Sequence, residues 1–278
     1  MIKSILLSVD GSTYTGAQVK HCIDLAKAFE SLVHVISIVD IRIFEWATVM
    51  STDGFVPVIP STAFQNESKK MLDAKADAVL SKCSRLFKTE NVEFDTQKIP
   101  GPPADIICDH GHLVDLLIIG ARGEYAKWES QLIGATLEVV VRQCNKPILI
   151  TPEKYKEISR LLIAYDGTSK ANKALQMAGF FASKLDIPVI ILTVNDSPQM
   201  QSKHLDEAKK YLEPYNISFD TISESGNPEK EILKMAKSKK CDLIIMGAFG
   251  HSRIREAILG STTEYVMRNS PLPLLLCK

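Results

Sequence analysis

The chain has 278 residues, of which 45% are hydrophobic and 24% charged, so it can bury the cores of about two domains of ordinary size. Its 33 basic side chains are balanced by 33 acidic ones, which argues against a nucleic-acid backbone or an anionic membrane as its main partner. No apolar run approaches the roughly 20 residues that span a bilayer, and the apolar start before Asp10 is too short for a signal peptide.

The sequence of the first half of the chain is repeated in its second half. Residues 5–40 align without a gap with residues 161–196, and DLLIIGARG of the first copy matches DLIIMGAFG of the second. Solenoid repeats are roughly 20–50 residues long, so a repeat of this length indicates two duplicated domains. The polar stretch TPEKYKE separates them, and we expect domains at 1–152 and 158–278.

Each copy alternates apolar runs with amphipathic helical patterns. Runs such as VIILTV are typical of strands that are buried on both faces, whereas the helical segments repeat their apolar positions near the 3.6-residue period. This alternation predicts a parallel sheet that helices cover on both sides. In the second copy we predict strands at 159–165, 188–194, 217–223, 242–246 and 273–277, and helices at 169–185, 199–213, 228–239 and 256–269.

The first copy has the same order of elements but is longer between its second and third strands. The surplus is mostly residues 41–69, which include Phe44, Trp46 and Phe55. A loop of this length is uncommon in a compact domain. We expect either an arm that packs on a neighbour or covers a pocket, or a flexible insertion.

A glycine-rich segment, GAFGHSRIREAILGST, follows the apolar run LIIM of the second copy. Gly247 at the strand end would let a ligand approach the backbone, and Gly250 permits a turn whose amides form an anion-binding nest. Gly260, Ser261 and Thr262 lie near a helix start, where N–H groups and hydroxyls can bind an anion. Ligands of open parallel sheets bind beyond the carboxyl ends of the strands, so the segment predicts a phosphate cradle without a Walker lysine. A tight turn without a ligand is the alternative.

With these residues the chain resembles the universal stress protein family. The resemblance rests on the spacing Gly247-x2-Gly250-x9-Gly260-Ser261-Thr262, with Asp166 and Val194 at the ends of the first two strands, and it covers all but 41–69. It implies an α/β fold of two tandem doubly wound parallel-sheet domains, of the adenine nucleotide α-hydrolase-like type with strand order 3-2-1-4-5. It also implies ATP binding, and pairing of the last strands of the two copies into an intramolecular pseudo-dimer. Association of two such chains into a homodimer stays open.

The resemblance also implies a role for each residue of the motif. Asp166 would bond the ribose, and the Val194 backbone would read the adenine edge. Gly247 would lie near the ribose. The phosphates would be held by Gly250, Gly260, Ser261 and Thr262.

The residues themselves leave some of these roles open. Asp166 can accept hydrogen bonds from sugar hydroxyls, but the run DGTS before a helix is also typical of an N-cap. His251 and Arg253 follow the second glycine, where cations could meet a triphosphate or form a solvated basic face. No acidic cluster resembles a dedicated metal cage, so Mg²⁺ would be carried by the phosphates.

The first copy departs from the motif. Ten residues instead of nine separate Gly123 from Gly134, and Ala135 replaces the serine. Glu124 and Glu129 bring negative charge near the expected phosphate position, where like charges repel by about 1 kcal/mol or more. We therefore expect a weak or empty first site; both sites would bind if a bulge absorbed the extra residue.

Other signals point to no further chemistry. The run Asp109-His110-Gly111-His112 resembles a metal motif, but an exposed helix end explains it better than zinc, because no cysteine or third ligand lies near it in sequence. Six cysteines without a C-x-x-C pair predict a reduced cytoplasmic protein.

Three functions remain in competition. The first is an ATP-binding regulatory or sensor module of a stress response that signals to an unknown protein partner. The second is a slow ATPase or phosphotransferase, although no motif residue is required to orient water, so we expect no catalytic residue. The third is a protein-interaction scaffold with a vestigial ATP site.

Overall fold

The computed structural model describes residues 1–40, 62–123, 134–248 and 259–278. Strands and helices alternate through both halves, as the sequence pattern predicts. The first half contains β1 (Ser4–Ser8), α1 (Thr15–Phe29), β2 (Leu32–Val39), α2 (Thr62–Thr89), β3 (Phe94–Pro100), α3 (Pro103–Gly111), β4 (Leu116–Gly120), α4 (Ala135–Gln143) and β5 (Ile148–Thr151).

The second half repeats this order after the connecting stretch 152–160. It contains β6 (Leu161–Ala164), α5 (Ser169–Leu185), β7 (Val189–Val194), α6 (Pro198–Leu212), a short 3₁₀ turn (Glu213–Tyr215), β8 (Phe219–Glu224), α7 (Pro228–Ser238), β9 (Leu243–Gly247), α8 (Ser261–Asn269) and β10 (Leu274–Cys277).

The described strands form one sheet in the order β3-β2-β1-β4-β5-β10-β9-β6-β7-β8. Within each half the strands are parallel and follow the order 3-2-1-4-5, which confirms the predicted fold class. The two halves meet where β5 and β10 pair antiparallel, with Leu149 opposite Leu275. This single antiparallel junction reverses the strand direction, so the carboxyl ends of the two sets of strands lie at opposite edges of the sheet.

Each strand contributes side chains to two hydrophobic cores, because successive side chains point to opposite faces of the sheet. In β1, Ile5 and Leu7 join one core while Leu6 joins the other. Helices α1, α2, α5 and α6 cover the first face, and α3, α4, α7 and α8 cover the second. Both faces of the central strands are therefore buried, which explains their unbroken apolar runs.

Helix α1 and the connecting stretch hold the halves together on one face of the sheet. The Phe29 ring lies 5.0 Å from the ring of Phe180 and 4.9 Å from that of Phe181 on α5. In the connecting stretch, the Tyr155 ring lies 4.8 Å from the His21 ring of α1, and its hydroxyl donates to an Asp24 carboxylate oxygen at 2.7 Å.

Apart from shifts of one or two residues at the ends of elements, two predicted segments differ from the observed fold. The helix predicted at 256–269 begins only at Ser261, because Leu259 and Gly260 lie outside it and Gly260 is extended with φ −63° and ψ 143°; residues 256–258 lie outside the described residues. Of the expected arm at 41–69, residues 62–69 form the first two turns of α2, and 41–61 are not described.

Within the described ranges, no helix combines the length and apolar character needed to cross a bilayer.

His21 should make the fold sensitive to acid. Burial lowers the pKa of its imidazole from 6.5 to about 4, and neither ring nitrogen has a hydrogen-bond partner among the described residues. Below pH 6.5 the unfolded chain therefore binds a proton that the folded chain does not, and the free energy of unfolding falls as the pH drops. This loss amounts to about 3 kcal/mol between pH 6.5 and 4.

We expect His21→Phe to keep the ring contact with Tyr155 and to remove this loss. Urea unfolding of the wild type and of His21→Phe between pH 7 and 4 measures this loss. The unfolding free energy of the wild type should fall increasingly below that of the variant as the pH drops. The exposed His112 supplies the control His112→Gln, which should follow the wild type. A constant difference between His21→Phe and wild type across this range would contradict the prediction.

Candidate functional site

A cleft of about 570 Å³ opens at the carboxyl ends of β6, β7 and β9. This volume lies within the roughly 300–1,000 Å³ typical of small-molecule sites. The parallel sheet brings separate parts of the predicted motif to this cleft, since strand ends that are distant in sequence share one edge. Six of the nine predicted site residues line it, namely Asp166, Val194, Gly247, Gly260, Ser261 and Thr262. The other three, Gly250, His251 and Arg253, lie outside the described residues.

Asp166 follows the end of β6 and is exposed at the cleft. Its Oδ1 accepts hydrogen bonds from the Thr168 amide at 3.0 Å and from the Thr168 hydroxyl at 2.7 Å. The Thr168 oxygen in turn accepts from the Ala171 amide at 3.2 Å, so Thr168 is the N-cap of α5. The alternative reading of Asp166 as the helix cap is therefore wrong: Asp166 orients the capping residue.

The backbone of Val194 faces the gap beyond the end of β6. On the β6 side, the Leu192 carbonyl accepts a hydrogen bond from the Tyr165 amide. On the β8 side, the Asn195 amide donates a hydrogen bond to the Glu224 carbonyl. Polar groups of successive strand residues point to opposite sides, so the Val194 N–H and C=O point to the β6 side. Since β6 ends at Ala164, these groups face the cleft instead of a strand.

Helix α8 directs its N-terminus at the same cleft. Gly260 is its N-cap, carries no side-chain cap, and its carbonyl accepts the Glu264 amide at 2.9 Å. The first-turn N–H groups of a helix have no intrahelical acceptor and carry partial positive charge. Together with the hydroxyls of Ser261 and Thr262, they form a set of donors that suits an anion.

The need for glycine at 247 comes from packing inside the protein. A Cβ added to Gly247 would lie 2.8 Å from both the Ala171 nitrogen and the Lys170 carbonyl carbon. The first turn of α5 therefore already occupies the space that the sequence interpretation reserved for a ligand. Gly247 still lines the cleft, but the absence of its side chain allows α5 to sit against β9.

One wall of the cleft has no counterpart in the predicted motif. Helix α6 contributes Met200, Lys203, His204 and Glu207, which recur at the i, i+3, i+4, i+7 spacing of one helix face. This spacing is the sequence signal from which their common helix face could have been predicted. A polar helix without a motif nevertheless gives no indication of which of its faces meets a cleft.

Tyr165 lies under this wall. Its hydroxyl donates to the Asn172 side chain at 2.7 Å and lies 3.5 Å from a Glu207 carboxylate oxygen. Burial, with the nearby Glu207 charge, raises the pKa of the Tyr165 hydroxyl to about 12. It therefore stays a neutral donor at physiological pH.

At the equivalent edge of the first half, several described residues lie close together. A Cβ on Gly123 would lie 2.9 Å from Asp10 Oδ2, so the turn after β4 folds back against this carboxylate. The Gly134 amide donates to the Ala121 carbonyl at 3.4 Å. Buried Gln18, whose counterpart in the second half is the smaller Ala174, donates from its side chain to the Ser8 carbonyl at 3.1 Å. Glu124 and Glu129 lie outside the described residues.

No described residues form a ready-made metal cage. Within the ranges given above, no three histidine, cysteine, aspartate or glutamate side chains are grouped so that they could hold a metal ion. All six cysteines are free and buried. The described residues of the cleft therefore offer donors to an anion and include no such group of cation ligands.

Comparison with known proteins gives a consistent result. The sequence model of the universal stress protein family matches residues 1–152 and 157–278. Universal stress protein Slr1230 of Synechocystis sp. is 30% identical over 285 aligned positions, which cover 99% of each chain. A solved universal stress protein from Archaeoglobus fulgidus shares the fold, with a TM-score of 0.77 at 23% identity over 99% of this chain and 98% of that one. Another solved universal stress protein is a complex with cAMP; it covers 44% of this chain and 99% of its own, at 19% identity and a TM-score of 0.38.

We expect Gly247→Ala to destabilise the protein in the absence of any nucleotide. Its new methyl group would meet backbone atoms of α5, and overpacking of this kind costs about 1–3 kcal/mol. Urea unfolding of the ligand-free protein measures the loss. In the control Gly16→Ala, on an exposed turn of α1 with no atom within 4 Å of the added methyl, stability should rise by about 0.5–1 kcal/mol. If Gly247→Ala kept wild-type stability and lost only nucleotide affinity, the packing explanation would be wrong.

Proposed function

The chain belongs to the universal stress protein family, and on this premise we propose that it is an ATP-binding regulatory protein whose second domain, 158–278, holds the nucleotide. The observation that carries the proposal is the convergence of two strand ends and one helix N-terminus on a single cleft. Each of these three parts suits one part of ATP, and their order around the cleft matches the order of base, ribose and phosphates.

Asp166 is proposed to bind the ribose. One of its oxygens already accepts from Thr168, but a carboxylate has about four lone-pair sites and can accept more hydrogen bonds. Sugar hydroxyls are suitable donors, and the exposed side chain lies in the cleft wall.

Val194 is proposed to bind the adenine edge. Its N–H and C=O are a donor and an acceptor on the same side of the strand, which complements a ring nitrogen beside an exocyclic amino group. Leu192, Ile232 and Met246 line the cleft as well and offer apolar surface to the faces of the base.

The first turn of α8 is proposed to bind the phosphates, through Gly260 and the amides and hydroxyls of Ser261 and Thr262. Gly250, His251 and Arg253 are assigned to this part of the proposal from the sequence motif alone. The donors in the described cleft suit phosphate oxygens and not a bare cation, so Mg²⁺ would be held mainly by the phosphates it accompanies.

The proposed role is regulatory. Hydrolysis needs a group that orients water, and the proposal assigns that role to no residue of the cleft. ATP would instead stabilise one conformation or assembly, which a protein partner or a second copy of the chain would sense during stress. Domain 1–152, which has Gln18 and the turn at Gly123 at the equivalent edge, is proposed to bind ATP weakly or not at all. The buried free thiols support a reducing, cytoplasmic location.

Thermal unfolding with and without Mg-ATP tests the proposal directly. Ligand at about 100 times its Kd should stabilise the folded state by roughly 2.7 kcal/mol. An unchanged unfolding temperature at millimolar ATP would favour the scaffold function. A shift accompanied by phosphate release well above the spontaneous rate would favour the ATPase.

A matched pair of variants tests which domain binds. Asp166→Asn keeps the shape of the side chain but removes its charge, and we expect ATP affinity to fall between about tenfold and a hundredfold, since hydrogen bonds to charged groups contribute roughly 1.5–3 kcal/mol. Asp10→Asn, at the equivalent position of the first half, should leave the affinity unchanged. Calorimetric titration of both full-length variants measures the effect. Equal losses would show that both domains bind ATP.

A further inference from the structure

His204 is a buried polar side chain in the wall of the cleft whose Nδ1 has no hydrogen-bond partner among the described residues. It lies on α6, is only 6% exposed, and its Nδ1 is completely enclosed. Its nearest aromatic neighbour is Tyr165, in an edge-on contact with ring centroids 6.1 Å apart. Burying such a group without a partner is unfavourable.

The first half shows that packing does not require this imidazole. A Cβ built on Gly167 would lie 2.7 Å from His204 Nε2, and a Cβ built on the equivalent Gly11 would lie 2.7 Å from Val79 Cγ2. The two glycines have nearly the same φ, +75° and +76°. His204 and Val79 therefore fill the same place in the two halves. The fold accepts an apolar side chain there, so the imidazole of the second half needs another explanation.

The position of the imidazole relative to the nucleoside suggests that explanation. Its Nε2 edge lies against Gly167, the residue directly after Asp166. His204 therefore lies beside the backbone next to Asp166, the proposed ribose-binding residue. A ribose hydroxyl that donates to the Asp166 carboxylate keeps lone pairs that can accept a hydrogen bond. A carboxylate cannot donate, whereas an imidazole N–H can.

Resting on the proposed function, we propose that His204 donates a hydrogen bond from Nε2 to the ribose hydroxyl that donates to Asp166. The pair then recognises one hydroxyl from both sides, and the cleft selects ribonucleotides over deoxyribonucleotides. Asp166 supplies the acceptor in this arrangement and His204 the donor. Helix α6, which the sequence motif does not include, thereby becomes part of the specificity of the site.

Calorimetric titration of the full-length protein with ATP, 2′-deoxy-ATP and 3′-deoxy-ATP tests the pair. The wild type should prefer ATP over the analogue that lacks the shared hydroxyl. In His204→Val, which copies the residue of the first half, this preference should fall about fivefold, the value of one neutral hydrogen bond. Binding of the analogue that lacks the shared hydroxyl should change less than twofold. His204→Gln, which restores an N–H donor, should regain most of the preference.

Val79→Ala is the matched control, since it changes packing at the equivalent place in the first half and should leave all three affinities unaltered. Because valine occupies the equivalent place in the first half, we expect His204→Val to fold normally. Thermal unfolding measures whether it does. If His204→Val weakened all three nucleotides equally, or left the preference intact, His204 would be a packing residue only and the proposal would be overturned. Failure of the wild type to bind any of the three nucleotides would overturn the ATP function itself, and the role of His204 with it.

Discussion

Three residue pairs between β5 and β10 join the two halves into a single sheet, and the position of both crevices depends on them. Because this pairing is antiparallel while all other described pairings are parallel, the strands of one half point opposite to those of the other. Ligand crevices of open parallel sheets lie at the carboxyl ends of strands. The carboxyl ends of the strands of the two halves therefore lie at opposite edges of the sheet. The pairing also covers two strand edges that would otherwise invite association.

Within this shared framework the halves differ through a few side chains at equivalent positions. Gln18 stands where the second half has Ala174, and Val79 where it has His204. His204 lines the cleft of the second half, whereas Ala174 is buried in its core. The Gln18 side chain donates to the Ser8 carbonyl at this edge of the first half, whereas Ala174 has no polar side-chain atom. The same fold thus carries different side chains at two equivalent places.

The alternation of strands with helices and the internal repeat predicted the fold, because burial on both faces of a parallel sheet requires that pattern. Asp166, Val194 and Gly260 were also predictable as neighbours, since strand ends of a parallel sheet share an edge. Other features depend on contacts that the sequence does not display. The start of α8 at Ser261 follows from the extended Gly260, and the need for Gly247 follows from α5. The wall formed by α6 was missed because a polar helix does not reveal which of its faces meets a cleft. Gly250, His251 and Arg253 remain predictions from sequence.

The covalent connection between the halves changes what mutation can achieve. In a symmetric dimer of separate identical chains, every substitution enters both subunits, so a crevice cannot be lost from one without being lost from the other. Here β5 and β10 pair within one chain, and each half is encoded separately. One half can therefore give up its ligand and be retained as a permanent folding partner, while the other keeps its chemistry under independent selection.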